Sequence, residues 1–191
     1  MALTPSSGGS NEKLNAREQQ VADLLDRNAI RACIEQLARG EDRRDASLIS
    51  GAYWPDSVTD YGVFRGSFDE YLAWVVPGSP ALPVTQHVLG QSYIVLDGES
   101  ARVETQVISY HRVDTGSEHR DAVIGGRYLD IFGQRDGEWR IASRMMVYDW
   151  SQDWGVSIDW SQGLMGQQLS SPNFVGKASD DVSREFFGEI G

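Results

Sequence analysis

With 191 residues, the chain is long enough for one domain with a substantial core. Its 17 basic and 28 acidic side chains give a net charge of −11, which repels phosphate backbones and anionic lipid and argues against nucleic acid or membrane as a partner. Cys33 is the one cysteine and sits among apolar helical neighbours, as a small buried hydrophobe in a reducing compartment would; with no signal-like opening and no apolar run of roughly 18 to 20 residues, a soluble cytoplasmic protein is expected.

Residues 1–11, rich in Ser, Gly and Pro, bury too little apolar surface to offset the entropy of ordering and are expected to form a disordered tail. From Glu12 to Arg39, Val21, Leu24 and Leu25, then Ile30, Cys33, Ile34 and Leu37, recur at spacings of three and four. The pattern predicts two consecutive helices breaking near Asp26 to Asn28 and stopping at Gly40. Asp45 can cap a short helix over Ala46 to Ser50. Val58 to Gly62 and Val63 to Gly66 read as short strands, and Ser67 as the cap of a helix through Val76, ended by Pro77 and Gly78.

Four long strand candidates follow, Val84 to Leu96, Arg102 to Val113, Asp121 to Gln134 and Glu138 to Asp149, with Asp97-Gly98 and Asp136-Gly137 as tight-turn pairs. Helices followed by a strand meander predict an α+β fold: a cone-shaped α+β barrel, with N-terminal helices packed against a strongly bent, mostly antiparallel sheet. The domain spans residues 12–150. Residues 151–191, with Trp154 and Trp160 after Trp150, are expected to form an extended segment covering the cavity or a subunit interface.

His87 lies in a β-rich run, and alternation along the next strand puts Thr105, Ser109 and His111 on the same inward face as Val103, Val107 and Val113. Two imidazoles beside hydroxyls in one cavity suit proton transfer, because imidazole titrates near pH 6.5. A histidine base needs a carboxylate on its other nitrogen, and Asp42, just past a helix end, is the candidate. Arg144 and Tyr61 are candidates for stabilising developing charge, with Arg127 and Tyr128 in reserve. Arg43, Arg44 and Asp45 read most simply as a solvated charge cluster. No His-x-x-x-His, cysteine pair, glycine-rich phosphate loop or Gly-x-Ser-x-Gly occurs, so neither metal nor cofactor is expected.

Arg39-Gly40-Glu41-Asp42-Arg43-Arg44-Asp45, Asp60-Tyr61-Gly62, Thr85-Gln86-His87, Ile124-Gly125-Gly126-Arg127-Tyr128 and Arg135-Asp136-Gly137-Glu138-Trp139-Arg140 together resemble the SnoaL-like branch of the nuclear transport factor 2-like superfamily. That branch includes scytalone dehydratase, hexachlorocyclohexane dehydrochlorinase, the bile-acid dehydratases and diarylpropane formaldehyde-lyases. The resemblance, from about Leu25 to Trp150, implies that Asp42 orients His87, that Tyr61 and His111 match the family's further polar residues, and that Arg144 matches a last-strand arginine. The Lys or Tyr that some members carry five residues before the aspartate is Leu37 here, so an acid from that helix is missing.

The expected activity is a cofactor-free lyase. An Asp42–His87 base, assisted by Tyr61, His111 and Arg144, eliminates water or formaldehyde from a hydroxylated aromatic or polycyclic substrate, such as a lignin-derived diaryl diol. Tyr53, Trp54, Thr105, Ser109, Arg127 and Tyr128 are expected to contact it. An isomerase or cyclase of the same fold, or a non-catalytic binding or structural subunit, are the alternatives. A homodimer or homotrimer is expected.

Overall fold

The computed structural model describes residues 8–159, 162–169 and 183–188. Helix α1 (Gly8–Arg43) is continuous over 36 residues; the expected break at Asp26 to Asn28 and the expected stop at Gly40 do not occur. Residues 10–39 contain neither Gly nor Pro, so nothing interrupts the backbone ladder. The polar step instead marks where the helix meets the sheet. Asp26 accepts from the Trp139 indole at 2.8 Å, and Arg27 donates to the Ile94 carbonyl. Val21, Leu24 and Leu25, before that step, are exposed, whereas Ile30, Cys33, Ile34 and Leu37, after it, are buried. Burial pushes the Cys33 thiol up to about 12, so it stays protonated and inert.

Gly40 serves packing rather than termination. A Cβ there would meet Ile49 Cγ1 at 2.9 Å, so the missing side chain lets α2 (Ala46–Ala52) lie against α1. Asp45 caps α2 as expected, accepting from the backbone of Ser47 and Leu48. After β1 (Tyr53–Asp60) and β2 (Arg65–Ser67), Ser67 caps α3 (Phe68–Val75) as expected, and the Glu70 side chain completes a capping box with it.

β3 (Val84–Asp97), β4 (Ser100–Asp114), β5 (His119–Arg135) and β6 (Glu138–Val156) form the meander. The six-stranded sheet has the order β2-β1-β6-β5-β4-β3, antiparallel except for the parallel β1–β6 pair. Register shifts between Leu89 and Ser92, Gly125 and Gly126, and Ile131 and Phe132 bend it around the helices. The expected α+β fold is thus the observed one. β1 starts five residues earlier than the sequence predicts, at Tyr53. β6 runs past the expected domain end at residue 150 to Val156, and Trp150 and Trp154 are exposed strand residues. Trp160 lies outside the described residues. A short α4 (Ser183–Phe187) follows, with Phe187 under the Arg39 guanidinium.

Ile30, Ile34 and Leu37 of α1 pack with Tyr53, Tyr71, Phe132 and Ile141 in the main core; each such fully buried side chain contributes about 1.5–3 kcal/mol. No helix among the described residues is long and apolar enough to cross a membrane.

Candidate active site

Between the helices and the inner face of the sheet lies a cavity of about 400 Å³. Tyr71, Trp74 and Val75 of α3 form one wall, and Ile124, Tyr128 and Met146 of β5 and β6 the opposite one. Tyr61 stacks parallel on Tyr71, with ring centroids 5.5 Å apart. Such a lining suits a flat apolar or aromatic molecule.

Asp42 and His87 meet at the polar end. Asp42 Oδ1 lies 2.7 Å from His87 Nδ1, and the carboxylate also accepts the His87 backbone N–H at 3.0–3.1 Å and the Thr85 hydroxyl at 3.3 Å. These donors fix the carboxylate on the last turn of α1, and the carboxylate in turn holds Nδ1 as the protonated nitrogen. Nε2 is therefore the basic atom. Burial works against the imidazolium, but the Asp42 hydrogen bond and the charges of Glu41 and Asp42 outweigh it, and the His87 pKa lies above 6.5.

Glu41 completes this end of the cavity, and the sequence reading did not single it out. It is 5% exposed and accepts hydrogen bonds from Tyr61, at 3.2 Å, and from Tyr71, while Oε2 stands 3.8 Å from His87 Nε2. Burial, reinforced by the Glu41 charge, pushes both phenols well above 10, so they remain donors. Adjacency to Asp42 was the available signal: two successive carboxylates on a final helical turn can flank one imidazole. Arg44 also lines the cavity, so it is not part of a solvated cluster.

His111 lines the same cavity, its ring centroid 6.3 Å from that of His87 and its Nε2 3.1 Å from Ser109 Oγ. Burial, together with the charges of His87 and Arg44, lowers its pKa to about 4, so it is neutral at physiological pH. It can donate or accept a hydrogen bond there, but it is not a reservoir of protons.

The other expected residues fall elsewhere. Arg144 is buried in a bidentate pair with Asp130, both contacts 2.8 Å, and lies 3.9 Å over the Tyr128 ring without lining the cavity. Arg127 cannot face inward beside Tyr128, because successive strand residues point to opposite faces; it bridges Glu104 and Asp149 outside. The same alternation separates Tyr53, buried in the core against Phe68 and Tyr71, from Trp54, which packs outside under Arg135 and Arg140. Thr105 does face inward, but its hydroxyl is taken by Ser92 at 2.9 Å, outside the cavity lining. Of the six expected substrate contacts, Ser109 and Tyr128 reach the cavity.

A second hollow of about 410 Å³ is lined by Glu35, Arg39 and Arg43 of α1 together with Asp42 and His87. Glu35 is exposed, so this hollow reaches solvent. His87 thus borders both spaces.

The SnoaL-like domain profile matches residues 22–145. No curated protein sequence matches the chain. Among solved structures, a hexachlorocyclohexane dehydrochlorinase (LinA) of type 2 aligns at 16% identity and TM-score 0.66, covering 81% of this chain and 99% of its own. The LinA type 3 enzyme of Novosphingobium barchaimii aligns at 16% and 0.64, covering 80% and 99%. A candidate scytalone dehydratase of Novosphingobium aromaticivorans aligns at 18% and 0.62, covering 71% and 91%. At these identities the likeness is one of fold.

Proposed function

The chain belongs to the SnoaL-like domain family, and from that premise we propose that it is a cofactor-independent lyase acting on a hydroxylated aromatic compound, with His87 as its base. The observation that carries this reading is the 2.7 Å contact between Asp42 and His87 Nδ1 at the end of an apolar cavity. That contact leaves His87 Nε2 as the basic atom beside a ligand-sized space, which is the arrangement general-base chemistry requires.

In a dehydration, His87 Nε2 takes a proton from a carbon next to the one bearing the hydroxyl. The C–H electrons form the double bond, and the C–O bond breaks. The imidazolium, stabilised by Asp42 and by Glu41, is the strongest acid in the cavity and returns the proton to the departing oxygen, which leaves as water. Tyr61 can turn its hydroxyl proton from Glu41 to that oxygen as charge develops. On an aromatic diol carrying a hydroxymethyl group, the same base takes the O–H proton instead. The C–C bond then cleaves to release formaldehyde, its electron pair forms the alkene, and the benzylic hydroxyl leaves as water with the transferred proton.

The test is turnover of a panel of aromatic diols and hydroxylated polycycles by wild type and His87→Gln. Wild type is expected to yield products lighter by water or by formaldehyde plus water, and His87→Gln to lose about three orders of magnitude or more in kcat with unchanged folding. Products of unchanged mass would mark an isomerase. Retained activity in His87→Gln would remove the base.

A further inference from the structure

We propose that Arg44 anchors an anionic oxygen of the substrate, a carboxylate or a phenolate, and so selects acidic aromatic molecules over neutral ones. This rests on the same cavity's being the substrate site, though not on the elimination chemistry.

Arg44 is the first residue past α1, with φ +51°. The Asp45 N–H bonds back to the Gly40 carbonyl at 2.9 Å, closing the helix end around a left-handed residue. Glycine is the usual occupant of that position, because a side chain there crowds the backbone. Here the strained residue is an arginine that lines the cavity. Its seat is shaped for it. Nη1 donates to the Val75 carbonyl at 3.1 Å, and a Cβ on Gly78 would come within 2.9 Å of the guanidinium carbon.

The two nearby acids do not account for this cation. Glu41 is engaged by two tyrosine hydroxyls, and Asp42 by His87 and Thr85. Among the described residues, Arg44 closes no ion pair. Burial lowers its pKa despite the attraction of Glu41 and Asp42, so its charge is incompletely compensated. A guanidinium that closes no ion pair among the described residues, on an otherwise mostly apolar lining, recognises an anionic oxygen on a flat hydrophobic body.

The experiment is isothermal titration calorimetry with two pairs of probes: cinnamate against cinnamamide, and ionised 4-nitrophenol against 4-nitroanisole. At least one anion is expected to bind about ten- to a hundredfold tighter than its neutral partner, the worth of a charge-assisted contact. Arg44→Gln should abolish that preference, and Arg44→Lys should keep part of it. A preference confined to cinnamate assigns a carboxylate, and one confined to nitrophenol a phenolate. In wild type itself, the Arg44 Nε–H resonance should shift with the preferred anion and not with its neutral partner, a readout that needs no variant. Equal binding within both pairs, or a preference that survives in folded Arg44→Gln, overturns the inference. An anion-selective protein without lyase activity retains this inference and loses the preceding one; a lyase indifferent to charge does the reverse.

Discussion

The basic nitrogen of His87, Nε2, faces a second carboxylate, Glu41 Oε2, at 3.8 Å, while Asp42 holds the other nitrogen. An imidazole between two acids favours its charged form. Because its pKa is raised above 6.5, the neutral base is depleted at acidic and near-neutral pH and accumulates only as pH rises past the raised value. The kcat/KM profile should therefore climb to a plateau with its ascending limb above pH 6.5. Glu41→Gln removes one of the raising charges, so its limb should move to lower pH while its plateau falls, because the developing imidazolium loses a partner. An unmoved limb in a pH–rate series would exclude Glu41 from this role.

His111 has the opposite linkage. Its folded pKa, about 4, lies below the ordinary 6.5, so folding favours the neutral ring. That contribution is intact above pH 6.5 and is lost as pH falls towards 4, on the order of 2–3 kcal/mol across the window. His87, with its raised pKa, changes stability in the other direction on acidification. Urea midpoints measured between pH 7 and 4.5 should decline less steeply in His111→Gln than in wild type.

Arg144 and Asp130 are 1% and 0% exposed at their side chains, and each is the other's charge partner. Removing one leaves a buried, unpaired charge. Asp130→Asn should cost about 3–5 kcal/mol of unfolding free energy, whereas the double replacement Asp130→Leu with Arg144→Met should cost much less. Chemical denaturation checks both, and equal losses in the single and double variants would contradict this account.

Gly126 has a steric reason to be glycine. A Cβ there would lie 2.2 Å from the Val147 carbonyl oxygen, a backbone atom fixed in the β5–β6 ladder beside a register shift. Gly126→Ala should destabilise by about 1–3 kcal/mol through forced strand displacement. Gly98→Ala meets nothing within 4 Å and provides a contrast, since its cost comes from φ +60° alone.

What could be read from the chain follows physical range. Asp45, Ser67 and the Asp-Gly turns act over two to four residues, so their chemistry is local and the expected caps and hairpins are there. Alternation along β4 places Ser109 and His111 correctly, and the same rule along β5 and β1 sets Arg127 opposite Tyr128 and Trp54 opposite Tyr53, so neither pair can share one face. The uninterrupted α1 was hidden because a helix crossing from solvent to core changes its apolar pattern without changing its backbone. Glu41 and Arg44 were illegible for another reason: charged residues near a helix end are usually solvated, and only the fold shows that α3 and the loop at Gly78 cover them.

The hollow beside Asp42 and His87 bears on where a captured hydrogen goes. A molecule filling the aromatic side closes that route, yet the imidazole still borders a space that opens beside Glu35. If His87 is the base and its Nε2 proton exchanges through that hollow, substrate recovered before completion in heavy water should carry deuterium at the reacting position. One imidazole thus borders a ligand-sized cavity and a solvent-reaching hollow at once.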